Sequence, residues 1–188
     1  FDAINHSLST LSTGGFSTKN ASIAHWNETP LIQYIIMFFM FLAGTSFTLT
    51  YFMLKRQFQK VLSNEEFVTY AVFLLIATVL ITGFVHTSSN QSFETSIRET
   101  LFQVVSLVTT TGFVSENYTG WTPLITMVCF ALLFIGGSAG STAGGIKVVR
   151  HIILFKNSFL EMKRQLHPSA VVPVRLNHTA INQEITFN

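Results

Sequence analysis

Two stretches of the sequence decide the fold: Ser-Thr-Leu-Ser-Thr-Gly-Gly-Phe-Ser-Thr at residues 9–18 and Ser-Leu-Val-Thr-Thr-Thr-Gly-Phe-Val-Ser at residues 106–115. Setting Gly15 on Gly112 aligns them without a gap. After a four-residue insertion in the first copy, Thr-Pro-Leu-Ile follows at residues 29–32 and again at 122–125. The chain therefore contains an internal duplication, and repeats of this size usually assemble around a common axis.

The duplication extends into the apolar stretches that follow, where it pairs Phe41 with Phe134 and Gly44 with Gly137. Each copy begins with three or four turns of moderately apolar sequence, at residues 2–18 and 94–115, which are too short and too polar to cross a membrane. A Ser/Thr/Gly cluster and a Pro-started apolar helix come next. A short half-helix followed by an extended Gly-containing strand is the layout of a re-entrant pore loop.

Composition predicts an all-α integral membrane protein. Hydrophobic residues make up 48% of the 188 positions and charged residues 11%, against roughly 25% charged residues in an ordinary soluble domain. About 20 residues cross the hydrocarbon core, and the stretches 31–54 and 67–85 are long and uncharged enough to do so. A third stretch begins near Trp121 and breaks at residues 136–145, which predicts a helix interrupted near the middle of the membrane.

Charge predicts the orientation. Nine of the eleven basic residues lie between the first two spans or after the third, and only Lys19 and Arg98 fall on the other side. The positive-inside rule therefore places the 55–66 loop and the C-terminal tail in the cytoplasm. Five acids lie on the predicted outer side, where they would attract cations within about 10 Å.

The Ser/Thr/Gly clusters have the residue types that a cation filter needs. A ring of backbone carbonyls can replace the hydration shell of an ion, and glycine permits the backbone angles that aim successive carbonyls inward. The alternative is a flexible extracellular loop rich in small polar residues. Two copies, each placed before a membrane helix, favour the filter.

Three motifs in order resemble the TrkH/KtrB superfamily of potassium transporters: HSLSTLSTGGFST at residues 6–18, SLVTTTGF at 106–113 and GGSAGSTAGGIKVVR at 136–150. The resemblance implies four helix–pore-loop–helix repeats around a pseudo-fourfold axis, as in a potassium channel. The two units here resemble the second and third repeats, so the chain is expected to be a fragment. Residues 1–66 would hold a pore loop and its following helix, 67–166 a complete repeat, and 167–188 a cytosolic link.

The resemblance also implies the site. The potassium-binding selectivity filter would comprise Thr13, Gly14, Gly15, Phe16, Thr110, Thr111, Gly112 and Phe113. The intramembrane gate would comprise Gly136, Gly137, Ser138, Ala139, Gly140, Ser141, Thr142, Ala143, Gly144 and Gly145. Neither filter stretch contains Gly-Tyr-Gly, so potassium selectivity over sodium, and any coupling ion, stay open.

Partners are implied in the same way: the remaining repeats, a second copy in a homodimer, a cytosolic nucleotide-binding subunit of RCK type, and the lipid bilayer of a bacterial inner membrane. Potassium is the expected ion, with no organic cofactor and no nucleic acid. An enzyme is not expected, because the sequence shows no nucleophile–base constellation. The alternative function is a carrier or scaffold whose re-entrant loops bind a non-ion substrate, although both copies point the same way and many carriers use inverted repeats.

The Gly-rich stretch 136–145 has three interpretations. A phosphate-binding P-loop is rejected, because Ile146 stands where the motif requires lysine. A helix-packing face is possible, because Gly136, Gly140 and Gly144 recur every four residues. An unwound, movable gate below the filter is favoured by the resemblance. The first copy's equivalent, residues 44–47, is expected to stay helical.

Overall fold

The computed structural model describes residues 1–88, 92–116, 120–166, 173–177 and 179–180. Its α-helices are α1 (Asp2–Leu11), α2 (Pro30–Ala43), α3 (Phe47–Leu54), α4 (Phe58–Leu62), α5 (Glu65–Ser88), α6 (Phe93–Val108), α7 (Pro123–Leu132) and α8 (Val148–Leu166). A 3-10 helix at Ser22–Trp26 follows α1. The antiparallel strands β1 (Arg175–Leu176) and β2 (Thr179–Ala180) pair Arg175 with Ala180 and Leu176 with Thr179.

Local sequence accounts for where the helices begin. Pro30 and Pro123 open α2 and α7, where the missing N–H has no intrahelical partner to lose. Ser92 caps α6, and its hydroxyl accepts the Thr95 N–H at 3.2 Å. The 24 residues of α5 are apolar enough to span a membrane by length and composition, which agrees with the predicted span at 67–85.

Helix α6 lies at the centre of the structure, packed between α2 and α5. Its apolar residues form the core, and Phe102, Val104 and Val108 are fully buried. Since apolar burial is the main stabilising term, α6 is fixed by two neighbours. The shorter α1 packs on α2 and keeps Ile4 and Leu8 about two-thirds exposed.

The prediction that residues 44–47 continue a helix is wrong. Helices α2 and α3 meet at an angle of 115°, and α2 ends at Ala43. A side chain at Gly44 would have its Cβ 2.5 Å from Tyr70 Oη and 2.8 Å from Thr109 Cγ2, so only glycine fits against these neighbours. The Thr45 hydroxyl donates to the Phe41 carbonyl at 2.9 Å, a local bond that often bends helices.

The predicted interruption of the third apolar stretch is confirmed. Helix α7 ends at Leu132 and α8 begins at Val148, with a parallel bridge between Ile135 and Ile146 closing the non-helical residues between them. Because residues 136–145 are not helical, the interpretation as a small-residue helix-packing face is wrong. Most of the predicted cytosolic link, residues 167–172, 178 and 181–188, lies outside the described residues.

Candidate functional site

The two duplicated segments, segment A (residues 12–18) and segment B (residues 109–115), have the same backbone handedness. Thr13 and Gly15 have φ of 51° and 68°, and Thr110 and Gly112 have φ of 56° and 83°. In both segments the intervening residue has a negative φ. The spacing of left-handed residues is thus a shared property of the two copies.

One serine of the preceding half-helix fixes each segment. The Ser9 carbonyl accepts the Gly14 N–H at 2.8 Å, and the Ser106 carbonyl accepts the Thr111 N–H at 2.9 Å. The hydroxyl of each serine also binds its own segment, at the Phe16 N–H (2.7 Å) in one copy and at the Phe113 carbonyl (2.7 Å) in the other. The sequence alignment of Ser9 with Ser106 therefore corresponds to one repeated structural role.

Segments A and B lie side by side. A Cβ added to Gly15 would collide with the Thr111 carbonyl oxygen and would approach the carbonyl carbons of Thr111 and Gly112 to 3.0 and 3.2 Å. A Cβ on Gly112 would meet no atom of the described residues within 4 Å. The backbone of segment B thus lies against Gly15, whereas the matching face of Gly112 is open among the described residues.

The paired phenylalanines of the two segments differ. Phe113 is 1% exposed and packs in the core, whereas Phe16 is 74% exposed. Thr111 is also buried, and its hydroxyl lies 2.8 Å from that of Thr109. The structure therefore brings all eight sequence-predicted filter residues into two adjacent segments but gives the two copies different surroundings.

The half-helix α1 supports segment A through His6, a residue that the motifs did not single out. The ring Nδ1 lies 2.7 Å from the Asp2 carbonyl, to which it must donate, and Nε2 lies 2.9 Å from Ser17 Oγ. The ring packs edge-on against Trp26 and contacts Phe113 of segment B at 5.7 Å between centroids. The pairing of Gly15 with Gly112 also sets His6 on Gln103, which is the signal that could have identified it.

Gln103 has the corresponding place behind segment B. Its amide nitrogen donates to the Glu116 carbonyl at 3.1 Å and reaches Ser115 Oγ at 3.4 Å. The Ser115 carbonyl accepts the Asn27 side-chain N–H at 3.2 Å. Both copies thus use a buried polar side chain on the half-helix to hold the outer end of the segment.

The outer end of segment A carries an ion pair. The Thr18 hydroxyl donates to Asp2 Oδ1 at 2.9 Å, and Lys19 Nζ lies 3.4 Å from Oδ2. The hydrogen bond from Thr18, followed by the Lys19 charge, lowers the pKa of the Asp2 carboxyl below its ordinary value. The carboxylate is therefore ionised on this face at neutral pH.

The Gly-rich segment (residues 136–145) binds both duplicated segments at repeat-equivalent threonines. The Thr13 hydroxyl donates to the Thr142 carbonyl at 2.9 Å, and the Gly144 N–H donates to Thr110 Oγ1 at 2.6 Å. The sequence-predicted filter and gate residues are therefore in direct contact.

The Gly-rich segment also rests on the break between α2 and α3. The Gly44 carbonyl accepts the Ser138 N–H at 2.9 Å, and the Phe47 N–H donates to the Gly140 carbonyl at 3.0 Å. A Cβ on Gly137 would lie 2.6 Å from the Gly44 carbonyl oxygen, so this contact requires glycine. The break between α2 and α3, which was not predicted from the sequence, is thus the surface on which the Gly-rich segment packs.

The fold and site define a class of helical proteins in which tandem repeats place a half-helix before a Gly/Thr segment and an apolar helix after it. The whole chain, residues 1–188, matches the sequence profile of the TrkH family, described as cation transport proteins. The chain belongs to this family.

Individual relatives agree. The chain is 35% identical to the Trk system potassium uptake proteins TrkH of Salmonella typhimurium and of Escherichia coli K12, over 98% of its own length and 38% of theirs. The crystal structure of the potassium transporter TrkH from Vibrio parahaemolyticus superposes with a TM-score of 0.90 at 30% identity, covering 98% of this chain and 40% of that one. The chain thus spans about two fifths of the length of these relatives.

Proposed function

We propose that this chain is part of a channel-like potassium uptake protein of the membrane, in which segments A and B supply two of four filter quadrants and the Gly-rich segment is the gate. The relatives named above are potassium uptake proteins, and the chain covers 38% of their length. Potassium is the transported ion, and the chemistry is transport rather than catalysis.

One observation carries the proposal: Gly15 of segment A faces the backbone of segment B, while the equivalent face of Gly112 is open. In a closed ring, the glycine of each repeat would face the backbone of the next repeat. Two neighbouring repeats share one such contact, which is the one between Gly15 and segment B. The open face is where the next repeat would complete the ring. Two quadrants alone do not surround an ion, so conduction requires the remaining repeats.

The proposed filter residues are Thr13, Gly14, Gly15, Phe16, Thr110, Thr111, Gly112 and Phe113. The shared left-handed positions of the two segments support this role, because glycine permits the backbone angles that can aim successive carbonyls at a dehydrated cation. Exposed backbone oxygens at membrane depth are tolerated where they line such a pathway. Phe16 and Phe113 would contribute backbone atoms, since their side chains have opposite exposure.

The proposed gate is residues 136–145. Its backbone is bound to Thr13 and Thr110, directly beside both filter segments, and it contains five glycines. Non-helical backbone of this kind changes conformation readily. Displacing this segment from the two threonines would therefore open the pathway below the filter.

The proposal also covers the membrane environment of the chain, its orientation and its partners. The exposed apolar side chains of α5, such as Val72, Leu75 and Val79, suit a lipid or protein environment at membrane depth. Positive charge places the 55–66 loop on the cytoplasmic side of a bacterial inner membrane. The domain limits 1–66, 67–166 and 167–188, a homodimer, and a nucleotide-binding subunit of RCK type are parts of the same proposal.

Rubidium uptake into liposomes that contain the full-length protein tests the function. Uptake should be suppressed by external potassium much more than by sodium. Gly15→Ser should reduce this preference. The control Gly83→Ala on α5 should not, because a Cβ there would meet none of the described part of the chain within 4 Å. Equal competition profiles in Gly15→Ser and the unmodified protein would reject segment A as part of the filter.

A further inference from the structure

Glu66 is a buried carboxylate at the first turn of α5, 8% exposed. An ionisable side chain at the edge of a membrane helix is expensive to bury and is retained where it has defined partners. Its neighbour Glu65 is partly exposed and pairs with Lys156 of α8. The two adjacent acids therefore face different surroundings, and Glu66 is the one directed into the protein.

Glu66 meets backbone N–H groups of the Gly-rich segment and of the helix that follows it. Oε1 accepts the Ala139 N–H at 2.6 Å, and the Val149 N–H lies close enough to favour the charged form of the carboxylate. Ala139 lies inside the Gly-rich segment, whereas Val149 is the second residue of α8. One side chain of α5 thus joins the Gly-rich segment to the helix that follows it.

This position puts a carboxylate of another helix at the N-terminus of α8. The first N–H groups of a helix have no intrahelical acceptor, and a carboxylate is favoured there by the helix dipole. In α8 the Val148 N–H donates to the Gly137 carbonyl at 3.2 Å and the Arg150 N–H to the Lys147 carbonyl at 2.9 Å. The Glu66 carboxylate lies beside the remaining donor between them, the Val149 N–H, and its loss would remove this favourable charge.

Lys147, just after the Gly-rich segment, interacts with both that segment and Glu66. Its ammonium donates to the Ala143 carbonyl and acts electrostatically on the Glu66 carboxylate. Ala143 lies between Thr142 and Gly144, the two residues bound to the filter threonines. Glu66 of α5 therefore binds the Gly-rich segment, and the Gly-rich segment in turn binds both filter segments.

We propose that Glu66 is a positioning residue for the gate: its carboxylate holds the Gly-rich segment against Thr13 and Thr110 and ties that position to the start of α8. A displacement of α8 relative to α5 then draws Val149 away from the carboxylate, breaks the Ala139 bond and releases the segment. This inference rests on the proposed gate and names the group that holds it closed.

The test uses the full-length protein in liposomes and compares Glu66→Ala, Glu66→Gln and the control Glu161→Gln. Glu161 is an exposed acid on α8 whose contact is Arg164. Glu66→Ala should raise rubidium flux at least about tenfold, a shift of about 1.4 kcal/mol in the closed–open equilibrium. Glu66→Gln should give a smaller rise, because its amide oxygen can still accept one N–H. The potassium-over-sodium preference should be unchanged in both.

Hydrogen exchange supplies a readout that does not depend on transport. In Glu66→Ala the Ala139 and Val149 amides should exchange at least about tenfold faster, while those of central α5 residues such as Leu74 stay protected. If Glu66→Ala does not fold, as judged by size-exclusion chromatography, Glu66→Gln decides the question. Unchanged flux and exchange in the folded variants, or a lower flux, would overturn the role of Glu66.

A variant lacking residues 138–143 separates this inference from the proposed gate. Increased flux in the deletion variant with unchanged flux in Glu66→Ala would reject the positioning role alone. Unchanged flux in both would reject the gate as well.

Discussion

Replacing Gly15 by alanine should damage the filter more than any other single methyl addition in segment A. The residue has φ of 68°, and an L-residue in this conformation costs roughly 1–2 kcal/mol. The added Cβ would also collide with the Thr111 carbonyl oxygen, and overpacking of this kind typically costs about 1–3 kcal/mol. The sum, about 2–5 kcal/mol, must be relieved by moving segment A or segment B.

Gly14 provides a matched control one residue away. Its φ is not positive, and a Cβ there would approach the Phe16 ring at 3.1 and 3.3 Å and Ser12 Oγ at 3.3 Å. Because the Phe16 side chain is 74% exposed, it can move aside, and Gly14→Ala should cost less than about 1 kcal/mol.

Gly112→Ala tests the proposed ring. Within the described residues its Cβ would meet nothing within 4 Å, so only the backbone term of roughly 1–2 kcal/mol applies. If another repeat completes the ring in the full-length protein, Gly112→Ala should be as damaging as Gly15→Ala.

The assay is competition of potassium and sodium against rubidium uptake by the full-length protein in liposomes, with thermal stability in detergent measured on the same samples. Gly15→Ala should lower the potassium-over-sodium preference at least about tenfold, and Gly14→Ala should leave it within about twofold. Equal preferences in Gly15→Ala, Gly14→Ala and the unmodified protein would refute the close approach of segments A and B in a filter.

Three further predictions concern the surroundings of the filter. Gly44→Ala should destabilise the protein by about 2–4 kcal/mol, because the new Cβ would clash with Tyr70 Oη. Adding Tyr70→Phe removes that oxygen and should recover part of the lost melting temperature. If the double variant recovers none of it, the clash with Tyr70 is not the cause. Thr13→Val removes the hydrogen bond to the Thr142 carbonyl, which should weaken the binding of the Gly-rich segment by about 1 kcal/mol and raise rubidium flux about fivefold. Thr110→Val removes the acceptor of the Gly144 N–H and should have the same effect. Unchanged flux in both variants would show that these bonds do not hold the gate. The folded-state pKa of Asp2 is lowered, so the ionised carboxylate stabilises the fold above the unfolded pKa of about 3.9, and this stability is lost as pH falls through the folded value. Asp2→Asn should therefore reduce the change of melting temperature between about pH 5 and 2. The same acid profile in Asp2→Asn and the unmodified protein would contradict this.

The duplication could be recognised from the sequence, and with it much of the site. The alignment of Ser9 with Ser106 and of Thr13 with Thr110 corresponds to shared hydrogen bonds and shared left-handed backbone. Such features are local, because glycine and serine set the backbone angles and the nearby hydrogen bonds within a few residues. The interruption after α7 was also predictable, since ten small residues propagate a helix poorly.

The break at Gly44 was not predicted, although the alignment set this residue on Gly137. One glycine among apolar residues is compatible with a continuous helix. At the break Gly44 packs closely against Tyr70 and Thr109, and these lie far away in the sequence. The same holds for Glu66, whose partners Ala139 and Val149 are more than seventy residues further on.

By itself the sequence determined that this protein is helical, apolar and duplicated, and which residues carry the Gly/Thr segments, because periodicity, composition and repetition are properties of the chain. Only the tertiary structure decided how those parts meet: Gly15 against Thr111, the Gly-rich segment on Thr13 and Thr110, and Glu66 at the start of α8. These contacts join residues distant in sequence, and they depend on close packing and on satisfying buried backbone donors and acceptors.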